Sequence, residues 1–339
     1  PTLLCFRRQR QMCIRDSPWV DQRNRETGIV TSHRHLFSKG VHLIVDQITD
    51  NRRVLTFFAS DGRLFFLIPM GPKTCIGTTD TQVEAPEVEV TEEDREFVLS
   101  NVNALLDLDK PLTPAEIIAE RVVVRPLAIQ GEGGEADWVQ LSRKHEIEVD
   151  HERRHLSIFG GKLTDCLNVG NEVVDLVQSL GVEVPEPRGR WYGEPPLELR
   201  DEFMLQARRM KLDALTDPTS PEPLSERFWR RYGASAFELL EAIREDKREA
   251  ELLIRSAEYT RCEIELAARR EMIVKLEDFM RRRSKIELVV RAEEILASPG
   301  LREACNLLFG ESAELRYREY IESISPVSGE AGEAQAAQA

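Results

Sequence analysis

The chain has 339 residues, with 60 acidic side chains against 46 basic ones and a formal net charge of −14. That balance argues against nucleic acid as the main partner, because a phosphate backbone is met by clustered Lys and Arg. No apolar run approaches the ~18 residues of a transmembrane helix, and six scattered cysteines without a Cys-x-x-Cys pair suggest neither zinc nor a disulfide framework but a reducing, cytosolic setting.

The front end, PTLLCF followed by RRQRQMCIRDS (7–17), is basic and lacks an apolar period. LLCF is too short for a secretory core of ~7–15 apolar residues. Asp16 and the missing amphipathic stripe weaken a mitochondrial reading. All eleven residues from Arg7 to Ser17 agree in one frame with the translation of a transposase-type sequencing adapter. Residues 1–17 are therefore expected to be artefactual, with the natural sequence resuming near Pro18 and extending upstream of it.

From 37 to 159 the pattern is mostly strands: VHLIVD (41–46), VLTFFA (54–59), RLFFLIP (63–69) and KTCIGTT (73–79), short, β-branched and aromatic. SDG (60–62) and MGPK (70–73) supply turns. A helix is expected over 91–107, capped by Thr91 with Glu92, Glu93 and Asp94 in its first turn. Thr113 and Pro114 open a shorter one. Strands resume at RVVVRP (121–126), DWVQLS (137–142), HEIEVD (145–150) and HLSIFG (155–160), and an amphipathic helix runs to about Leu180. VPEPRGRWYGEPP then marks a linker, after which helical periodicity dominates. The stretch from Ala250 to Val289 reads as one long helix, or two with a break near Arg281 to Ser284. The resulting class is α+β: an antiparallel-sheet domain at 18–184, a linker at 185–196, an all-α domain at 197–326 and a disordered tail at 327–339.

Several pieces can carry chemistry. FGGKLT (159–164) puts two glycines after an apolar strand and before a helix start, which suits an anion or an electron-rich ring; a plain tight turn is the competing reading. VRPL (124–127) and LSRKHE (141–146) each place an Arg where a phosphate or carboxylate could be met, and each is also consistent with a surface ion pair. His42 follows Gly40 inside an apolar strand and can be structural or chemical. His33, His35 and His42 are joined by no Cys or carboxylate at ligand spacing, so no metal is expected. IGTTDT (76–81) ends a strand in hydroxyls and a carboxylate. The run at 281–283 reads as a solvated helix face, with an anionic-lipid patch as the lesser option.

Taken in order, SKGVHLIVD, DGRLFFLIP, IGTTDT, VRPL, SR…HEIEVD and SIFGGKLT resemble the C-terminal two-thirds of FAD-dependent glycerol-3-phosphate dehydrogenases, within the glycine-oxidase-like flavoproteins. RRYGASAFELLEAI and ARREMIVKLEDFMRRRSKI resemble that family's helical domain, so the likeness covers about residues 37–325. The resemblance implies FAD as cofactor, a sheet facing substrate and flavin, and oxidation of glycerol 3-phosphate to dihydroxyacetone phosphate. Electrons pass to quinone, or to oxygen in an oxidase. It implies His42 as the base or hydrogen-bond partner of the C2 hydroxyl, and Arg125 and Arg143 as substrate-binding arginines, Arg125 also stabilising developing charge. Lys162 meets the phosphate or the flavin. Gly160, Gly161, Leu163 and Thr164 form the turn against the isoalloxazine. The role of Thr78, Thr79 and Asp80 stays open. The Rossmann-type FAD half with its Gly-x-Gly-x-x-Gly turn is expected to be largely missing, which leaves the chain inactive alone. Asp165 and Cys166 stand where the family usually has Thr and Tyr, and the usual Gly before the Arg motif is replaced. A related oxidase of another hydroxy-acid or amine substrate, or a non-catalytic helical interaction module, are the alternatives. Peripheral attachment at the inner membrane face and a homodimer are compatible with the family.

Overall fold

The computed structural model describes residues 18–51, 53–131, 144–189 and 195–324. The adapter-like segment, the strand expected at 137–142, Arg143 and the tail at 327–339 lie outside the described residues. The chain divides into two compact units, Pro1–Trp191 and Tyr192–Ala339.

The first unit is organised by one long strand, β1 (His33–Asp46). Sequence reading placed its start at Val41. The earlier half was hidden because its period-two pattern is broken by polar residues that are nonetheless buried: His35, Ser38 and Lys39. A short helix precedes it, α1 (Val20–Thr27), which ends at Gly28 and which an almost wholly polar sequence concealed. β1 is followed by β2 (Leu55–Phe58), β3 (Leu64–Met70), β4 (Lys73–Gly77) and β5 (Thr81–Val83). The turns read from SDG and MGPK join β2 to β3 and β3 to β4, and these pairs are antiparallel.

The sheet order is β2-β3-β4-β1-β5, and β6 (Ala119–Gln130) also pairs with β1. β6 runs antiparallel to β1 from His33↔Gln130 to Ile44↔Ala119. β1 meets β4 at residues 42–46 and β5 at 37–39. Between those two stretches a side chain replaces strand pairing: the Val41 N–H donates to Thr79 Oγ1 at 2.9 Å, and the Thr79 N–H donates to the Val41 carbonyl at 3.3 Å.

Side chains alternate faces along β1. Val41, Leu43 and Val45 pack on Val98, Leu99 and Val102 of α2 (Glu92–Leu105). Thr91 caps α2 in a reciprocal box with Asp94, as its sequence suggested. Asp94 also takes the buried Lys39 ammonium at 2.5 Å, tying the helix start to β1. One face of the sheet is thus covered by α2, while Ser38, Gly40 and His42 belong to the other.

The hairpin of β7 (His145–Asp150) and β8 (His155–Gly160) forms a separate antiparallel pair. α1 rests on it through Asn24 and Ser157, buried side chains 3.0 Å apart. β8 leads through Gly160 and Gly161 into a 3-10 turn (Leu163–Asp165) and then α3 (Cys166–Ser179).

The second unit is helical. α4 (Leu197–Arg209), α5 (Leu224–Tyr232) and α6 (Ala236–Glu245) enclose Phe203, Phe228, Leu239 and Leu240. The helix expected from Ala250 to Val289 is corrected. A small ribbon forms first, β9 (Leu252–Ile254) with β10 (Tyr259–Thr260), turning through Glu258 at φ 54. Thr260 then starts α7 (Arg261–Arg270) with a capping box to Glu263, and the chain turns again through Met272 at φ 51. A capping residue and left-handed residues inside an apolar-periodic stretch outweigh its periodicity. The expected break falls on a π-helical turn (Asp278–Arg283), after which come α8 (Ile286–Val289), α9 (Ala292–Leu296), α10 (Gly300–Phe309) and α11 (Ala313–Ile324). These surround Ile264, Phe279, Met280, Leu301 and Tyr320.

Replacing Lys39 by Ala strands the buried Asp94 carboxylate. The expected loss is about 3 kcal/mol in the stability of the first unit, read as a lowered urea midpoint of the sheet signal.

Candidate functional site

The residues that can do chemistry lie on the face of β1 opposite α2. Register places Arg125 beside Ser38, and both Arg121 and Gly77 beside His42. The Arg125 guanidinium extends along β1 and occupies the space over Gly40. A Cβ at Gly40 would stand 2.3 Å from Nη2 and 2.7 Å from Cζ. The guanidinium donates to Ser38 Oγ at 3.5 Å, Asp80 Oδ1 at 3.3 Å and Thr78 Oγ1 at 3.2 Å. Ser38 in turn donates to Asp80. Thr78 and Asp80 reach this position because they lie in the gap between β4 and β5, both of which pair with β1. The GTTD segment therefore anchors an arginine here, a role that sequence reading left open.

His42 is the neighbour on the same face. A Cβ at Gly77 would come within 3.0 Å of its Cδ2. Its Nδ1 is buried and has no hydrogen-bond partner among the described residues. Burial above all, then the charges of Arg121 and Arg125, push its pKa down to about 4. The ring is neutral at pH 7, able to accept a proton rather than carry one.

The diglycine turn follows the separate β7–β8 pair and stands beside the first half of β1. The Gly160 N–H donates to His35 Nε2 at 3.3 Å. His35 precedes His42 by seven residues, roughly 23 Å of strand, and points to the other face. Gly160 at φ 61 and Gly161 at φ 98 adopt backbone that favours glycine. Lys162 and Thr164 are exposed beside them. Arg125 thus lies over Gly40, near enough for its charge to lower the His42 pKa, while Gly160, Gly161 and Lys162 form a second group. Arg143 lies outside the described residues. His33 and His35 are accounted for structurally: His33 Nδ1 is 2.7 Å from Glu148, and His35 Nδ1 is 3.5 Å from Asp21.

Known proteins resemble parts of this chain. Residues 201–306 fit the family model of the C-terminal domain of alpha-glycerophosphate oxidase. Over 167 residues the chain is 36% identical to the aerobic glycerol-3-phosphate dehydrogenase of Bacillus subtilis, covering 48% of this chain and 29% of that protein. The Staphylococcus haemolyticus enzyme of the same name is 33% identical over 164 residues, 47% of this chain and 28% of its own. The solved glycerol-3-phosphate dehydrogenase from Bacillus halodurans, complexed with FAD, matches 91% of this chain at a TM-score of 0.66 and 26% identity. The chain resembles the FAD-dependent glycerol-3-phosphate dehydrogenases. It covers 62% of the solved relative and less than a third of the curated ones, at 29% and 28%.

Two groupings are not legible in the sequence, although Gly40 and Asp165 are each singled out there. Gly40 makes room for Arg125, and its only sequence signal is a glycine inside a strand, two residues before a histidine. His145, Asp165 and Glu172 form a tight polar cluster beneath the diglycine turn; they are separated in sequence, and only the β7–β8 register brings them together.

Two outcomes follow from this geometry. A Gly40→Ala substitution displaces the Arg125 guanidinium and moves the His42 titration up toward the ordinary histidine range, measurable by NMR. A histidine held near pKa 4 makes stability fall as pH drops from about 6.5 to 4, because the unfolded chain takes up the proton first. Replacing His42 by Phe removes that component. The stability difference between wild type and variant should therefore decline by up to about 3 kcal/mol across that window in urea melts.

Proposed function

We propose that this chain carries the substrate-facing sheet and helical domain of an FAD-dependent enzyme that oxidises sn-glycerol 3-phosphate to dihydroxyacetone phosphate. The observation that carries this reading is the pairing of a neutral, half-buried His42 with an arginine fixed in place over a glycine. A hydroxyl beside a phosphate calls for these two groups: a proton acceptor, and a cation that stabilises charge developing on the oxygen. The unpartnered Nδ1 of His42 fits a group built to meet a ligand, and the φ values at Gly160 and Gly161 fit a separate backbone surface open to a flavin edge.

Gly160, Gly161, Lys162, Leu163 and Thr164 would hold the flavin, Lys162 and Arg143 the substrate phosphate. Bound FAD supplies the acceptor for hydride from C2. On this chain the work is binding and proton handling. The His42 imidazole takes the hydroxyl proton. Arg125, held by Asp80, Thr78 and Ser38, places positive charge at the C2 oxygen. Quinone is the proposed electron acceptor, which would bring the protein to a membrane surface. Among the described residues no helix is long and apolar enough to cross a membrane. The 339 residues contain no Gly-x-Gly-x-x-Gly turn, so weak FAD binding and no turnover are expected of this chain by itself.

A second reading keeps the flavin chemistry and changes the substrate. Asp165 and Cys166, where the family usually has Thr and Tyr, favour it.

The deciding experiment is anaerobic mixing of the flavin-loaded complete gene product with glycerol 3-phosphate. Bleaching of the flavin band is expected, and Arg125→Lys should lower kcat/KM by roughly 100- to 1,000-fold. An unbleached flavin would remove glycerol 3-phosphate as substrate, and bleaching by another hydroxy acid would establish the second reading.

A further inference from the structure

Beneath the diglycine turn, His145 is buried at 7% exposure and lies opposite Gly160 in the β7–β8 register. A Cβ at Gly161 would approach the His145 Cβ to 3.1 Å, so the ring's root and the turn are in close contact. The two ring nitrogens face different carboxylates. Nδ1 is 2.8 Å from Asp165 in the 3-10 turn, and Nε2 is 2.8 Å from Glu172 on α3. A carboxylate accepts hydrogen bonds, so both nitrogens must carry protons, and only the imidazolium form satisfies both contacts. Asp165 is held on its other oxygen by Asn168 at 2.6 Å. The cation therefore joins β7, the strand paired with β8, to the segment and helix after the turn, and the chain at 160–164 spans the gap.

We propose that His145 is a positioning residue: gripped by Asp165 and Glu172, it locks the diglycine turn in the shape that presents Gly160, Gly161 and Lys162. Its hydrogen-bond partners, Asp165 and Glu172, lie outside the His42 cluster. The proposal rests on the functional reading in one respect, that this turn is the surface offered to the flavin. The charged groups around the ring are of both signs: Asp165 and Glu172 face it, Lys162 lies in the turn, and Lys144 and Glu146 are its chain neighbours. His35, behind Gly160, accepts at Nε2 and is kept neutral by burial. The two carboxylates hold the His145 pKa above its ordinary value, against the effect of burial. The lock is accordingly in force below the His145 titration and weakens as pH rises through it.

The test uses the 339-residue chain without flavin. The His145 ring is titrated by NMR, and hydrogen exchange is followed at the Gly160 and Gly161 amides, in wild type and in Asp165→Asn, Glu172→Gln and His145→Gln. Titration above the ordinary value of 6.5 is expected. Each carboxylate variant should lower proton affinity by about tenfold. Exchange at the two glycines should rise about tenfold in His145→Gln, and in wild type it should rise more steeply above the His145 titration than below it. The two carboxylate variants are isosteric and keep the fold intact if His145→Gln does not. Wild-type exchange in all three variants, or a His145 that titrates at or below 6.5, would overturn the proposal. Exchange is read without flavin, so it decides the lock even where the glycerol 3-phosphate assay goes against the functional reading.

Discussion

The arrangement of the first unit turns on one close approach, the Arg125 guanidinium lying where a side chain at Gly40 would otherwise be. Any Cβ there would overlap the cation. Because that space is free, an arginine from β6 can lie flat across β1 and accept orientation from Ser38 on β1 and from Thr78 and Asp80 beyond β4. Its charge then adds to burial in keeping His42 neutral. Backbone shape, side-chain direction and proton affinity at the site are linked through a single missing methyl group.

The opposite face has a different task. Lys39 and Asp94 bury a salt bridge at the point where α2 meets β1, inside a region otherwise closed by Val, Leu and Phe. Buried pairs of this kind contribute little net stability over apolar packing, but removing one partner is costly. Here the pair fixes which residue of α2 sits on which residue of β1. That fixes the register of a helix whose apolar stripe alone would tolerate sliding, and it leaves the His42 face clear.

Much of this was legible beforehand. Strands with clean alternation or strong β-branching, such as 41–46, 64–70 and 155–160, were found because burial follows their apolar residues. The Thr91 cap was found because three acidic residues follow it. The first half of β1 was missed because it buries a histidine, a serine and a lysine, each with a partner that sequence distance concealed. The ribbon at 252–260 was missed because Leu, Ile and Tyr serve a short strand and a helix equally well. His42 and Arg125 were named from their motifs, and the structure groups them. The lock at His145 was not visible, since its carboxylates lie 20 and 27 residues away.

The bonds that orient Arg125 join residues 87, 45 and 47 positions apart in the chain. Those to Asp80 and Thr78 cannot form until β1, β4 and β6 have all found their places, so loop-closure entropy is spent before the arginine is fully held. The helical second unit is built mainly from neighbours in sequence. Assembly order and chemistry are therefore coupled: a chain can be mostly helical and compact while its arginine is still unoriented, and ordering of that guanidinium marks completion of the sheet.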